Sequence, residues 1–180
     1  ALFYGGLVRT KNALSVLMQV STVTVIGMIM WALVGYSLSF TTGPGALDTF
    51  IGGTARFFLF DTVDGVVTDL SDNLVATFST GIYLPELVFV VFQMTFACIT
   101  AALVLGGLAE RVKFIGVVLF SILWPLLVYY PMAHMVWWWP GPDAVATHPN
   151  DPIASGLIWS FGALDFAGGT VVHINSGIAA

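Results

Sequence analysis

Asp165 and His173 stand in the run FGALDFAGGTVVHINSGIAA (161–180), which is otherwise uncharged and rich in small residues. A carboxylate attracts a cation. An imidazole can pass a proton, because one ring nitrogen donates while the other accepts. Read as one helix, the eight positions from Asp165 to His173 cover roughly 12 Å at about 1.5 Å per residue. With Asp165 at a membrane surface, His173 then lies deep in a hydrocarbon layer about 30 Å thick, where an ionisable group is costly and marks a functional site. Each residue also has a plainer reading. Asp165 suits an N-terminal helix cap, and a buried histidine is commonly a neutral structural group satisfied by a neighbour.

Aromatic side chains supply the second kind of chemistry. A cation over a Trp or Phe face gains on the order of 0.5 to 2 kcal/mol, and Trp137 stands at the outer end of an apolar stretch, placed for such a contact. The plain alternative is that Trp137, Trp138 and Trp139 form an interfacial belt. Phe92 and Phe96 are four residues apart and share one helix face; this spacing serves core packing as readily as a gate. His134 and the Glu110–Arg111 pair read as structural contacts, and His148 as a surface residue.

Enzymatic chemistry finds no support. The acid nearest to Asp165 in sequence is Asp151, in a proline-rich loop, so no carboxylate pair is assembled for general acid/base work. No phosphate-cradling glycine motif, Ser/His/Asp grouping or Cys/His metal spacing is present. Cys98 is single and lies inside an apolar run, offering neither a disulfide nor a metal framework. The glycine pairs at 5–6, 106–107 and 168–169 suit close helix packing or turns. No cofactor and no nucleic-acid partner are implied.

The elements that position these residues follow from composition. Hydrophobic residues make up 58% and charged residues 8% of the 180 positions, and the mean hydropathy is +0.94. That leaves too little polar surface for a soluble domain, so the chain reads as an all-α polytopic membrane protein embedded in a lipid bilayer. No charge occurs between Lys11 and Asp48, between Glu86 and Glu110, or between Lys113 and Asp143. Each gap exceeds the ~20 residues an apolar helix needs to cross. Spans are expected near 13–40, 87–109 and 114–139, with a partial span at each end; the chain opens on Ala1 and closes inside an uncharged run, so both ends read as cuts, leaving one partial membrane domain over 1–180.

Charge sets the orientation. Arg9 and Lys11 precede the first full span, and Arg111 and Lys113 lie two crossings later, on the same side, which the positive-inside rule makes cytoplasmic. The opposite face holds Asp48, Asp61, Asp64, Asp69, Asp72, Glu86, Asp143 and Asp151 against Arg56. These acids read as a solvated loop in which salt screens exposed charge beyond ~8 Å. The stretch 41–84 is a long outer loop with room for a short helix or hairpin. The second outer stretch, PGPDAVATHPNDPIASG, carries four of the eight prolines and argues against regular structure.

DFAGGTVVHINSGIAA resembles the signature of the ammonium transporter (Amt/MEP/Rh) family. The likeness continues in ALFYGGLVRTKNALSVLMQ, GYSLSF, FQMTFACIT, GGLAERVKF and PMAHMVW, in family order. It is closest in wording to the bacterial Amt branch, with no clear match over 41–86 and 140–160. The resemblance implies an eleven-helix fold in two inverted halves, of which this chain supplies the end of the first through most of the fifth helix. It further implies transport of ammonium or ammonia by a homotrimer in the inner (plasma) membrane, open to a cytoplasmic regulatory protein. Trp137 would match the outer ammonium site, Phe96 the gate below it and Phe92 the aromatic one turn earlier. Asp165 would be the carboxylate that organises the vestibule, and His173 the first of two pore histidines. Where the family often continues with Gly, this chain has Trp138, Trp139 and Pro140. An ammonium sensor, with the same membrane domain fused to a signalling module, is the alternative that the C-terminal sequence would decide.

The charge split predicts that an impermeant thiol reagent added outside modifies Asp64→Cys and spares Thr10→Cys and Val112→Cys. The reverse pattern contradicts the orientation.

Overall fold

Long apolar helices dominate the chain, as the charge-free runs require. The computed structural model describes residues 1–63, 66–70, 73–147 and 154–180; Asp64, Asp72, His148 and Asp151 lie outside the described residues. A short helix α1 (Leu2–Leu7) precedes three helices long and apolar enough to cross a bilayer: α2 (Thr10–Phe40), α3 (Glu86–Leu108) and α4 (Phe114–Trp137). These bounds fall within three residues of the expected spans. Two short outer helices follow, α5 (Pro142–Thr147) and α6 (Leu157–Ser160), and then α7 (169–179), which opens as a π turn (Gly169–Ile174) and continues as an α-helix (Asn175–Ala179).

The long helices are interrupted where their sequences demand it. Pro125 and Pro131 remove two N–H donors from α4, and the helix widens into a π turn at Pro125–Tyr129, where the Tyr130 N–H reaches back to the Pro125 carbonyl. A second π turn, Trp31–Gly35, lies in α2. Gly35 lets the Tyr130 ring approach the backbone there, since a Cβ on Gly35 would come within 2.6 Å of the ring. Gly106 plays the same part for Tyr4, whose ring would meet an added Cβ at 2.9 Å. Gly5, Gly106 and Gly107 thus serve close packing, as expected, whereas an added Cβ on Gly6 would meet open space.

The outward faces of the long helices are apolar, and several polar groups are buried beside the apolar core. Leu14, Val25, Ile29, Val88, Ile115, Leu123 and Leu127 are exposed, whereas Ser37, Ser39, Thr100, Ser121 and His134 are buried. The hydroxyls of Thr100 and Ser121 bond to carbonyls one turn back, at 2.5 and 2.6 Å, so they carry no unpaired donor into the core. Trp31 donates its indole N–H to the Val90 carbonyl at 3.0 Å, pinning α2 to α3. One apolar cluster gathers Trp31, Tyr36, Val90, Tyr130 and Val136; the other gathers Val16, Val23, Ala101, Leu105 and Val117.

The outer stretches hold more structure than a solvated loop. The first contains two antiparallel hairpins, β1 (Phe60–Val63) with β2 (Val66–Asp69), and β3 (Leu74–Ala76) with β4 (Tyr83–Pro85). Their registers pair Phe60 with Asp69 and Leu74 with Pro85. Several of the outer acids are structural. Arg56 bonds Asp61 and reaches Glu86 at 3.0 Å, and the Tyr36 hydroxyl donates to the same Glu86 oxygen at 2.7 Å. Asp61 and Glu86 are each 5% exposed, so the loop is riveted to the tops of α2 and α3 rather than freely hydrated. The Asp143 carboxylate accepts from the Gly81 N–H at 2.9 Å and the Tyr83 hydroxyl at 2.7 Å, tying the second hairpin to α5. Helix α5 also corrects the expectation of irregular structure over 140–160, for Pro142 sits at its first position, where the missing N–H has no intrahelical partner to lose.

On the opposite side Glu110 confirms its structural reading. It accepts from Asn12 Nδ2 at 2.7 Å and from Arg9 Nε at 3.2 Å, joining the α1–α2 turn to the α3–α4 turn. Bonds from Asn12 and then Arg9 hold its carboxyl at about 2, below the ordinary 4.5. A depressed folded-state value means that the clamp stabilises the fold above 4.5 and loses that contribution as pH falls toward 2. Thermal unfolding in detergent should therefore show a decline over this window that is shallower in Glu110→Gln; equal slopes in the two proteins would contradict the clamp.

Candidate functional site

Helix α3 presents Phe89, Phe92, Gln93 and Phe96 on one stripe, by the three- and four-residue spacing that stacks helical side chains. The Phe92 and Phe96 rings meet edge to face, with centroids 5.0 Å apart at 76°. Trp137, the last residue of α4, meets Phe96 in the same manner at 5.7 Å and 72°. Its indole N–H donates to the backbone carbonyl of Asp165 at 2.9 Å, which fixes the ring plane.

Asp165 is indeed a cap, but of a helix that begins later than expected. The segment 161–168 is not helical, and α7 starts only after Gly168, which takes φ 86°, a left-handed conformation open to glycine. The Asp165 carboxylate reaches forward to the helix start: Oδ1 accepts the Gly168 N–H at 2.8 Å, and Oδ2 accepts the Thr170 and Val171 N–H groups at 2.9 Å each. Patterning predicts one helix through 161–180 because the run is otherwise uncharged and contains no proline. Gly168 and the cap end it instead.

Phe92, Phe96, Trp137 and Asp165 come together around an outer pocket of about 530 Å³, joined by Tyr36, Phe40, Gln93, Phe166 and the second hairpin. His173 does not line it. His173 lies in the π turn of α7, its backbone N–H on the Gly168 carbonyl at 3.0 Å, with an exposed imidazole that makes no hydrogen bond among the described residues.

The three tryptophans do not form a lipid-facing girdle. All three line the pocket. Trp138 stacks on His134 at 4.7 Å and 15°, and Trp139 stacks on Trp159 at 5.4 Å while touching Phe78 at 5.5 Å. His134 is fully buried, its ring nitrogens 3.1 Å from the Ser39 carbonyl and 2.5 Å from that of Asp48, the structural contact expected of it. Tyr36, Phe40 and Gln93 were missed as lining residues; the signal available for Gln93 was an amide in an otherwise apolar span.

A pocket walled by aromatic rings, with a carboxylate at its edge, is suited to a small cation that must lose its water. The family model for the Ammonium Transporter Family matches residues 1–180. The chain belongs to the ammonium transporter family. The match runs through 41–86 and 140–160 as well, where the sequence blocks alone had given no clear likeness. The chain is 42% identical over 179 residues to the ammonium transporter of Bacillus subtilis (strain 168), covering 99% of this chain and 37% of that protein. It is 39% identical over 184 residues to the ammonium transporter of Mycobacterium tuberculosis (strain ATCC 25618 / H37Rv), with 100% and 36% covered. The crystal structure of Saccharomyces cerevisiae Mep2 superposes with a TM-score of 0.65 at 30% identity, over 90% of this chain and 30% of that one. The chain thus spans little more than a third of the curated relatives, and its fold is the first half of the family's membrane architecture. These matches are to transporters and not to enzymes.

The cap makes a direct prediction. Asp165→Ala frees three backbone N–H groups at the start of α7 and should cost roughly 2 kcal/mol, the upper end for a helix cap. Loss of amide-exchange protection at Gly168, Thr170 and Val171 is the specific readout; unchanged protection contradicts the cap.

Proposed function

We propose that these residues form the outer recruitment site and the upper conduction path of an ammonium transporter. The observation that carries the reading is the aromatic pocket in which Phe96 and Trp137 stand 5.7 Å apart beside Asp165. Burying a bare charge in hydrocarbon costs on the order of tens of kcal/mol in the idealised limit, so ammonium cannot cross as it stands. Trp137, Phe96 and Phe92 replace part of its water with ring faces, and Asp165 adds negative charge at the edge without having to touch the ion. The ion then yields its proton to water in the open pocket, and ammonia passes Phe96 toward His173, where an imidazole both donates and accepts; the proton returns to the outer side or crosses by a separate route.

The intact protein is proposed to work as a homotrimer with one pore per subunit, in the inner (plasma) membrane. Arg9, Lys11, Arg111 and Lys113 mark the face a cytoplasmic regulatory protein would meet. Orientation and charge support this placement.

Flux of methylammonium in proteoliposomes carrying the full-length protein separates the roles. Trp137→Ala should weaken apparent affinity by no more than about thirtyfold, the limit of a contact worth roughly 2 kcal/mol, and spare maximal flux. His173→Asp should alter selectivity or halt electroneutral passage while the protein remains folded. A folded His173→Asp variant with wild-type flux and selectivity removes His173 from the path.

A further inference from the structure

The outer pocket is larger than the ammonium ion assigned to it. Its volume is about 530 Å³, whereas a water molecule, with which ammonium is isoelectronic, takes roughly 30 Å³ in the liquid. Part of the remaining space is walled by apolar side chains that recruitment of ammonium does not use: Val75, Phe78 and Leu84 of the second hairpin, and Trp139 beyond the end of α4. Val75 and Leu84 are a cross-strand pair, so they present the same face of the hairpin.

This part of the wall is fixed from three sides. Trp139 stacks on Trp159 at 5.4 Å and 20° and touches Phe78 at 5.5 Å. Gly141, at φ 92°, brings the chain against β3 so closely that an added Cβ would collide with the Ala76 side chain. Asp143 holds the hairpin tip through Gly81 and Tyr83. A wall held in this way gives up little freedom when a ligand settles on it. Aromatic walls also take cations other than bare ammonium, and quaternary ammonium groups are well suited to them. An apolar substituent on such a cation gains further by leaving water for the hairpin and Trp139.

We propose that the outer pocket also binds organic ammonium ions that carry an apolar or aromatic substituent. The charged head rests against the Phe96 and Trp137 rings near Asp165, and the substituent lies along Trp139, Phe78 and Leu84. A quaternary head has no proton to give up, so such an ion blocks the conduction path instead of crossing it. The proposal rests on the reading of the pocket as a cation recruitment site.

The test is equilibrium binding of ammonium, tetramethylammonium and benzyltrimethylammonium to the full-length protein in detergent, for wild type, Trp139→Ala, Phe78→Ala and Trp137→Ala. Benzyltrimethylammonium should bind wild type about tenfold more tightly than tetramethylammonium, the upper range of one aromatic contact. It should also inhibit methylammonium flux competitively in proteoliposomes. Trp139→Ala and Phe78→Ala should each narrow the gap between the two organic ions, whereas Trp137→Ala should weaken ammonium and both organic ions together. If Trp137→Ala leaves the ammonium affinity unchanged, the recruitment reading falls and this inference with it. If Trp137→Ala weakens ammonium, this inference alone is overturned by equal affinities of the two organic ions in wild type, by a tenfold preference that survives in folded Trp139→Ala and Phe78→Ala, or by binding that leaves flux uninhibited. Should Trp139→Ala fail to fold, Phe78→Ala, whose ring is largely exposed, decides the outcome.

Discussion

The first backbone N–H groups of a helix have no partner within it, and that constraint organises the outer half of this chain. Asp165 answers it by accepting from Gly168, Thr170 and Val171. Its carbonyl takes the Trp137 indole N–H, so the residue that starts α7 also sets the ring facing Phe96. His173 then falls about one turn into the helix. The pocket's Trp137 wall and the helix that carries His173 are thus held by one residue, Asp165.

The walls of the pocket are made rigid by a second set of buried polar groups. Arg56 joins Asp61 and Glu86, and Glu86 receives the Tyr36 hydroxyl, so the long outer stretch is fastened to α2 and α3. Asp143 fastens the second hairpin to α5, and the stacked Trp139 and Trp159 rings close the same side. Preorganised aromatic walls suit a site that must exchange a cation's hydration shell for ring faces without collapsing onto them.

The spans were legible because apolar length is a one-dimensional signal: 13–40, 87–109 and 114–139 became Thr10–Phe40, Glu86–Leu108 and Phe114–Trp137. The positions of Trp137, Phe96, Phe92 and Asp165 were legible through their sequence blocks, and α3 and α4 bring them together. The start of α7 was not, because it depends on one left-handed glycine and a cap that reaches forward from outside the helix. Nor was the use of the outer acids, since pairing of Asp61 and Glu86 through Arg56 is a tertiary fact that their spacing does not encode. Trp138 and Trp139 misled for a related reason. Three adjacent tryptophans look like an interfacial belt until His134, Trp159 and Phe78 are found stacked or packed against them.

The central claim is that a cation binds in the outer pocket against the Phe96 and Trp137 rings that line it. It is tested most directly by a high-resolution structure of the full-length protein at saturating ammonium. The account predicts a bound ion over the faces of those two rings, inside the pocket edged by Asp165. An ion ordered elsewhere, with the pocket lined by Phe96 and Trp137 unoccupied at saturation, would contradict it.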